Sequence, residues 1–205
     1  MIYYFSATGN SKHVALSIAR ALHIEAVDIL TCDAQNAVVD ASGAPVGVVT
    51  PTYFGGLPEP VCDFLSRIGV TNTPYCFIVS TCGYLTGAAP EMAESLGWRF
   101  DAAFSVRFAD TFTIAFDVSD KAKVWRKTRR ADEQLESVIR RIMTQTRGRF
   151  NERALPLPAV RAVYPLYGVM AKTRHFRVSD ACISCGQCAR KCPVHAITMV
   201  DGHPH

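Results

Sequence analysis

Half of the cysteines in this chain sit in one short run, and that run restricts what the chain can become more than any other feature. Cys182-Ile183-Ser184-Cys185-Gly186-Gln187-Cys188-Ala189-Arg190-Lys191-Cys192-Pro193 has the spacing C-x2-C-x2-C-x3-C-P. Thiols three residues apart, with Gly186 free to take a tight turn, can wrap one metal centre. Zinc is the chief rival, but its sites usually pair two separated C-x2-C knuckles, so the single run favours an iron–sulfur cluster. The other four cysteines, Cys32, Cys62, Cys76 and Cys82, are scattered and read as small apolar side chains. A chain of 205 residues, 49% hydrophobic and 20% charged, has room for one core-bearing domain in front of the cysteine run. That composition excludes a disordered or collagen-like chain.

Ahead of the run, β-like and helix-like segments alternate. Residues 1–5 (MIYYF) form an apolar strand-like run, and Val14, Ala15, Ile18, Ala19 and Leu22 then fall at helical spacing. Strands near 45–50 and 75–80 precede amphipathic stretches at 58–68 and 88–97, and further strands are expected at 24–30 and 102–108. Five strands separated mostly by helices predict a parallel sheet covered on both faces.

Charge divides the chain more sharply. Residues 1–118 carry 5 Lys/Arg against 11 Asp/Glu, whereas 119–177 carry 15 against 5. Within the basic part, Val124, Leu135, Val138, Ile139 and Ile142 form an apolar stripe, predicting a long helix packed on the sheet over 119–147. Pro156, Pro158 and Pro165 exclude one continuous helix across 148–176, which reads as a basic connector. The basic residues suit a solvated helix face, a docking face for an acidic redox partner, or a shield for the phosphate of a bound cofactor. They lack the interleaved aromatics of a nucleic-acid-binding fold, so no nucleic acid is expected. No run of eighteen apolar residues and no basic leader is present, predicting a cytoplasmic protein without a membrane span.

Three loops follow predicted strands, at the edge where open parallel sheets bind ligands. Ser6-Ala7-Thr8-Gly9-Asn10-Ser11 leads into a helix with hydroxyls at positions 6, 8 and 11, an arrangement that suits a phosphate held mainly by neutral donors. It matches neither G-x-G-x-x-G nor G-x-x-x-x-G-K-[ST], and it would also serve as an ordinary strand-to-helix turn with a capping serine. Pro51-Thr52-Tyr53-Phe54-Gly55-Gly56 sets two aromatics between a proline and two glycines, and Thr81-Cys82-Gly83-Tyr84-Leu85-Thr86-Gly87 adds a third. These rings could sandwich a flat heteroaromatic ligand or could simply cover the sheet edge.

On these loops, residues 1–147 resemble a flavodoxin-like domain. The resemblance implies a doubly wound five-stranded parallel sheet of order 2-1-3-4-5 and non-covalent FMN. The phosphate would lie on Ser6, Thr8, Gly9, Asn10 and Ser11. The ring would lie between Pro51, Thr52, Tyr53, Phe54, Gly55 and Gly56 on one side and Thr81, Cys82, Gly83, Tyr84 and Gly87 on the other. Neither Trp98 nor Trp125 lies in these loops, unlike the tryptophan many flavodoxins place on the flavin.

The cysteine run resembles the bacterial ferredoxin motif, and the whole chain resembles flavodoxin–ferredoxin fusion proteins. That implies a [4Fe–4S] cluster on Cys182, Cys185, Cys188 and Cys192 in a ferredoxin-like segment at 177–205. In two-cluster ferredoxins the fourth cysteine of the run serves the other cluster, so Cys182, Cys185 and Cys188 would need a distant fourth ligand and Cys192 a second set. No cysteine follows Cys192, and Ile197 to Gly202 reads as a strand entering a hairpin turn, so the segment is expected to be truncated and unable to complete two clusters. The function implied is electron transfer between FMN, iron–sulfur clusters and a redox protein partner. The alternative is an FMN-dependent reductase acting directly on an organic substrate, with Tyr53, Tyr84 or Cys82 as proton donor.

Overall fold

The computed structural model describes residues 1–32, 37–113, 115–170, 172 and 177–205. The first strand, β1 (Ile2–Tyr4), runs into α1 (Asn10–Leu22), which buries Ser11, Val14, Ala15, Ile18 and Ala19 along one side. The helix ends where His23 turns left-handed (φ +55°) and the Ile24 N–H returns to the Ala19 carbonyl at 3.0 Å. Next come β2 (Ala26–Asp28), β3 (Ala37–Asp40), β4 (Val46–Pro51), α2 (Glu59–Arg67), β5 (Ile68–Thr71), β6 (Cys76–Cys82), α3 (Ala89–Ser95), β7 (Ala102–Arg107) and α4 (Lys121–Met143). After α4 follow β8 (Gly148–Phe150), α5 (Leu157–Val163), α6 (Pro165–Met170), α7 (Gln187–Lys191), β9 (Met199–Val200) and β10 (His203–Pro204).

The main sheet has the order β2-β1-β4-β6-β7-β8, and every pairing in it is parallel. Strands β4 and β6 are buried almost throughout, as expected of a sheet covered on both faces. The period-two alternation of β1, β4 and β6 then sorts side chains into two cores. Ile2, Tyr4, Val49, Phe77 and Val79 meet α1 and α4 on one face, while Tyr3, Phe5, Val48 and Ile78 meet α2 and α3 on the other. Gly47 is required on the first face, where a Cβ would come within 2.5 Å of the Phe77 ring.

The five expected strands are all present in the order 2-1-3-4-5. The structure adds β8 beyond β7 as a sixth. Its sequence, Gly-Arg-Phe, carries no strand signal. It is held through Phe150, whose ring stacks on Phe104 at 5.4 Å beneath the Arg141 guanidinium. A separate two-stranded sheet pairs β3 with β5.

The segment read from sequence as a connector therefore behaves differently over 148–170. Beyond β8, the Glu152 N–H donates to Ser105 Oγ (2.9 Å), the Leu155 N–H donates to the Gly87 carbonyl (3.0 Å), and Val160 is fully buried. The prolines do interrupt helix, but they shape two short helices that fold back onto the sheet edge. The cysteine segment also departs from expectation, since the hairpin turn entered at Gly202 is followed by its returning strand. The returning strand of the hairpin begins at His203, with Thr198 and His205 exchanging backbone hydrogen bonds at 2.7 and 2.8 Å.

Candidate functional site

Strands β1 and β4 are neighbours whose outgoing helices, α1 and α2, pack on opposite faces of the sheet. The crevice beyond their carboxyl ends is the switch point at which open α/β sheets bind ligands. A cavity of about 660 Å³ lies there, within the usual range for small-molecule and cofactor sites.

Of the residues expected at the site, Ser6, Thr8, Asn10, Ser11, Pro51, Thr52, Tyr53, Phe54, Gly55, Thr81, Cys82, Gly83 and Tyr84 line the cavity. Gly9, Gly56 and Gly87 do not, and each has a structural task instead. Gly9 takes φ +97° at the start of α1, where no side chain caps the helix, so the first-turn amides lack a side-chain partner. Gly56 lies where a Cβ would meet the Tyr164 ring at 2.5 Å and Met92 Sδ at 2.7 Å. Gly87 (φ +66°) lies against the backbone of Gly55, and the Ala88 N–H donates to the Gly55 carbonyl at 2.7 Å.

The three loops are tied to one another. Ser11 Oγ and Thr81 Oγ1 share a buried hydrogen bond of 2.8 Å, and Thr52 Oγ1 donates to the Leu85 carbonyl at 3.2 Å. Ser11 therefore braces the first loop against β6 rather than facing the cavity freely. The Gly9 N–H donates to Ser6 Oγ at 3.1 Å, while Thr8 stands exposed at the mouth. This end of the cavity offers hydroxyls and helix amides. The other end is apolar.

At the apolar end Phe54 lies 5.9 Å from Phe112 and 6.0 Å from Tyr167, and Tyr167 packs against Tyr53 at 5.6 Å. Tyr84, largely exposed, carries the Arg153 guanidinium over its ring at 4.5 Å. Two groups of lining residues were missed from sequence: the loop after β7 (Ala109, Asp110, Thr111, Phe112, Ala115, Phe116), and Leu155, Val163, Tyr167 and Met170. The first was accessible by the same strand-end rule, since Phe108, Phe112 and Phe116 recur every four residues after an expected strand. Asp110 is the one carboxylate among the described lining residues, and it accepts the Phe112 N–H at 3.0 Å.

Burial pushes the Cys82 thiol up to about 11 and the Tyr53 phenol up to about 12. Because the folded pKa of Cys82 exceeds its ordinary value of 9.0, its contribution to stability is complete below pH 9 and is lost as pH rises towards 11. At pH 8, iodoacetamide is expected to alkylate the exposed Cys185 and Cys188 of cluster-free protein well before Cys82, as read by peptide mass spectrometry. Equal rates would contradict the burial argument.

In the cysteine run, Ser184 (φ +55°) and Gly186 (φ +66°) both turn left-handed, and Gly186 starts α7. The Ala196 N–H donates to Cys192 Sγ at 3.2 Å, tying the end of the run to the segment that follows it. Hairpin β9–β10 lies against this wrap, with Gly202 next to Ser184. Among the described residues no three His, Cys, Asp or Glu side chains converge tightly enough to hold a metal ion.

Residues 177–198 match the 4Fe-4S binding domain family. Over 26 residues the chain is 50% identical to a ferredoxin of Clostridium pasteurianum, a match that covers 13% of this chain and 46% of that protein. The chain thus spans about half the length of the curated relative it matches. Among solved structures, a Streptococcus pneumoniae flavodoxin is 20% identical with a TM-score of 0.40, covering 67% of this chain and 97% of that one. Rubredoxin:oxygen oxidoreductase of Desulfovibrio gigas is 14% identical with a TM-score of 0.40, covering 69% of this chain and 36% of that one. No helix among the described residues is long and apolar enough to cross a membrane.

Proposed function

We propose that the chain is an electron-transfer protein that holds FMN in the sheet-edge cavity and binds iron–sulfur through its cysteine run, with Cys182, Cys185 and Cys188 on one cluster and Cys192 on another, the remaining ligands coming from elsewhere. The observation that carries this reading is the cavity's polarity. One end presents hydroxyls and the N-terminus of the 13-residue α1, suited to a phosphate, and the other presents Tyr53, Phe54, Phe112 and Tyr167, suited to a flat ring. The donor set fits the ligand without strong cations, since helix amides supply partial positive charge. When bound, FMN supplies exchange of one or two electrons and the cluster exchange of one.

The chain's own residues would do the rest. Thr8, Asn10 and the α1 amides anchor the phosphate, Thr52 and Gly55 hold the loop edge beside the ring, and Leu155, Val163 and Met170 exclude water. The competing reading, direct reduction of an organic substrate, needs a ready proton donor. Cys82 and Tyr53 hold their protons well above neutral pH, which supports electron exchange with a protein partner instead.

Flavin-fluorescence titration tests the cavity. FMN is expected to bind one per chain, and riboflavin about tenfold or more weakly, because it lacks the phosphate. Thr8→Val should weaken FMN and leave riboflavin nearly unchanged, whereas Tyr167→Ala should weaken both alike. Equal binding of FMN and riboflavin would refute the phosphate assignment. Absence of iron after anaerobic reconstitution would refute the cluster.

A further inference from the structure

The first ten residues of α4 do not behave like part of a core helix. Residues 121–130 hold six cations, Lys121, Lys123, Arg126, Lys127, Arg129 and Arg130, and no acidic residue. None of the ten is buried, and the helix reaches the core only at Ala131. At 1.5 Å per residue these ten residues make an arm of about 15 Å, on which Val124, Lys127 and Thr128 are half-buried and the other seven, five of the cations among them, are exposed. Among the described residues none of the six closes an ion pair. Lys121 and Lys123, in the first turn, oppose the helix dipole, so folding alone does not account for their placement.

The arm also lies at a particular place. α4 leaves from the carboxyl end of β7, the edge that holds the cavity, and Ala115 and Phe116 of the preceding loop line that cavity. Beside the arm's cations sits Trp125, 61% exposed, with the Arg129 guanidinium over its ring at 5.2 Å. An exposed tryptophan framed by arginines has the composition of an interface hot spot.

We propose that the basic arm of α4, centred on Trp125, is the docking surface for an acidic redox protein that exchanges electrons with the cofactor in the adjoining cavity. This rests on the electron-transfer reading above and adds the partner's chemistry and the place where it sits. Charge complementarity selects the occupant: six cations with no counter-charge on the arm would attract an acidic surface, and the aromatic would give the docked pair a fixed centre.

The test uses the full chain with a small ferredoxin of net negative charge. Anisotropy of the labelled ferredoxin reads binding with or without FMN, and stopped-flow reads flavin reduction by the reduced ferredoxin. Binding and the second-order rate are expected to weaken at least about tenfold as salt rises from about 0.02 to 0.3 M. The triple variant Arg126→Glu, Arg129→Glu, Arg130→Glu should show a similar loss at low salt and a flattened salt dependence. Trp125→Ala should weaken binding without changing the salt slope. Lys121→Glu with Lys123→Glu should weaken binding while leaving the melting temperature equal or higher, because it improves the helix dipole; this separates docking from folding. Reduction of bound flavin by a neutral photoreductant should be unchanged in every variant.

Affinity and rate indifferent to salt and to the reversals would overturn the proposal. Preferential binding of the arm to duplex DNA, to phosphatidylserine vesicles or to a second copy of the chain would overturn it too. Failure to take up FMN would instead sink the electron-transfer reading, and the anisotropy arm would still decide the docking surface.

Discussion

Gly87→Ala is expected to destabilise the protein by about 3 kcal/mol or more and to abolish FMN uptake with it. Two costs coincide at this position. Its φ of +66° is one that residues with a side chain adopt at a cost of about 1–2 kcal/mol. A Cβ there would also overlap the Gly55 carbonyl and Cα, which are backbone atoms that cannot swing aside. Relief requires prising apart the second and third cavity loops, breaking the Ala88-to-Gly55 and Leu155-to-Gly87 hydrogen bonds. Gly97→Ala is the matched control: it has φ +99° but nothing within 4 Å of the new Cβ, so it should cost only about 1–2 kcal/mol and leave FMN binding intact. Urea denaturation of both variants checks the pair. Equal losses would mean that the loop contact contributes nothing.

That contrast also shows what the sequence can reveal. Gly9, Gly56 and Gly87 are glycines in loops that face a ligand edge, and the sequence offers no means of distinguishing a glycine that touches ligand from one that lets two loops approach. Positions whose meaning is set by local pattern were legible. The hydroxyl turn after β1, the apolar runs of β4 and β6 and the helical stripe over Leu135, Val138 and Ile142 each follow from spacing alone. Ser11 was legible as polar but not as a buried brace to Thr81, because its partner is 70 residues away. β8 was illegible for the same reason: three residues, Gly-Arg-Phe, become a strand only because Phe104 offers a ring to stack on and β7 offers an unpaired edge. Tyr167 reaches the cavity through two proline-started turns, and no local periodicity announces that return.

Cutting the chain after residue 147, where the basic stretch would begin a connector, is expected to remove cooperative folding, whereas cutting after Met170 should preserve it. The shorter piece loses β8 and leaves the edge of β7 unpaired, a site for aggregation. It also loses Val160, which is fully buried, and the Tyr164 hydroxyl that donates to the Leu57 carbonyl. Thr86 Oγ1 loses its acceptor on Glu152, and Ser105 Oγ loses the Glu152 N–H that donates to it. Burying one valine contributes about 1.5–3 kcal/mol and leaving each buried polar group unmatched costs about 1–3 kcal/mol, so the sum consumes most of the ~5–15 kcal/mol that a domain possesses. The 1–147 piece should therefore melt without a sharp transition and bind a hydrophobic dye, while 1–170 melts sharply and binds FMN as the full chain does. Similar melting curves and FMN affinities for the two pieces would mean that residues 148–170 are an appendage. A sharp melt for 1–170 alone places the end of the cavity-bearing body at α6, since what completes the cavity wall is then the same set of contacts that closes the sheet edge.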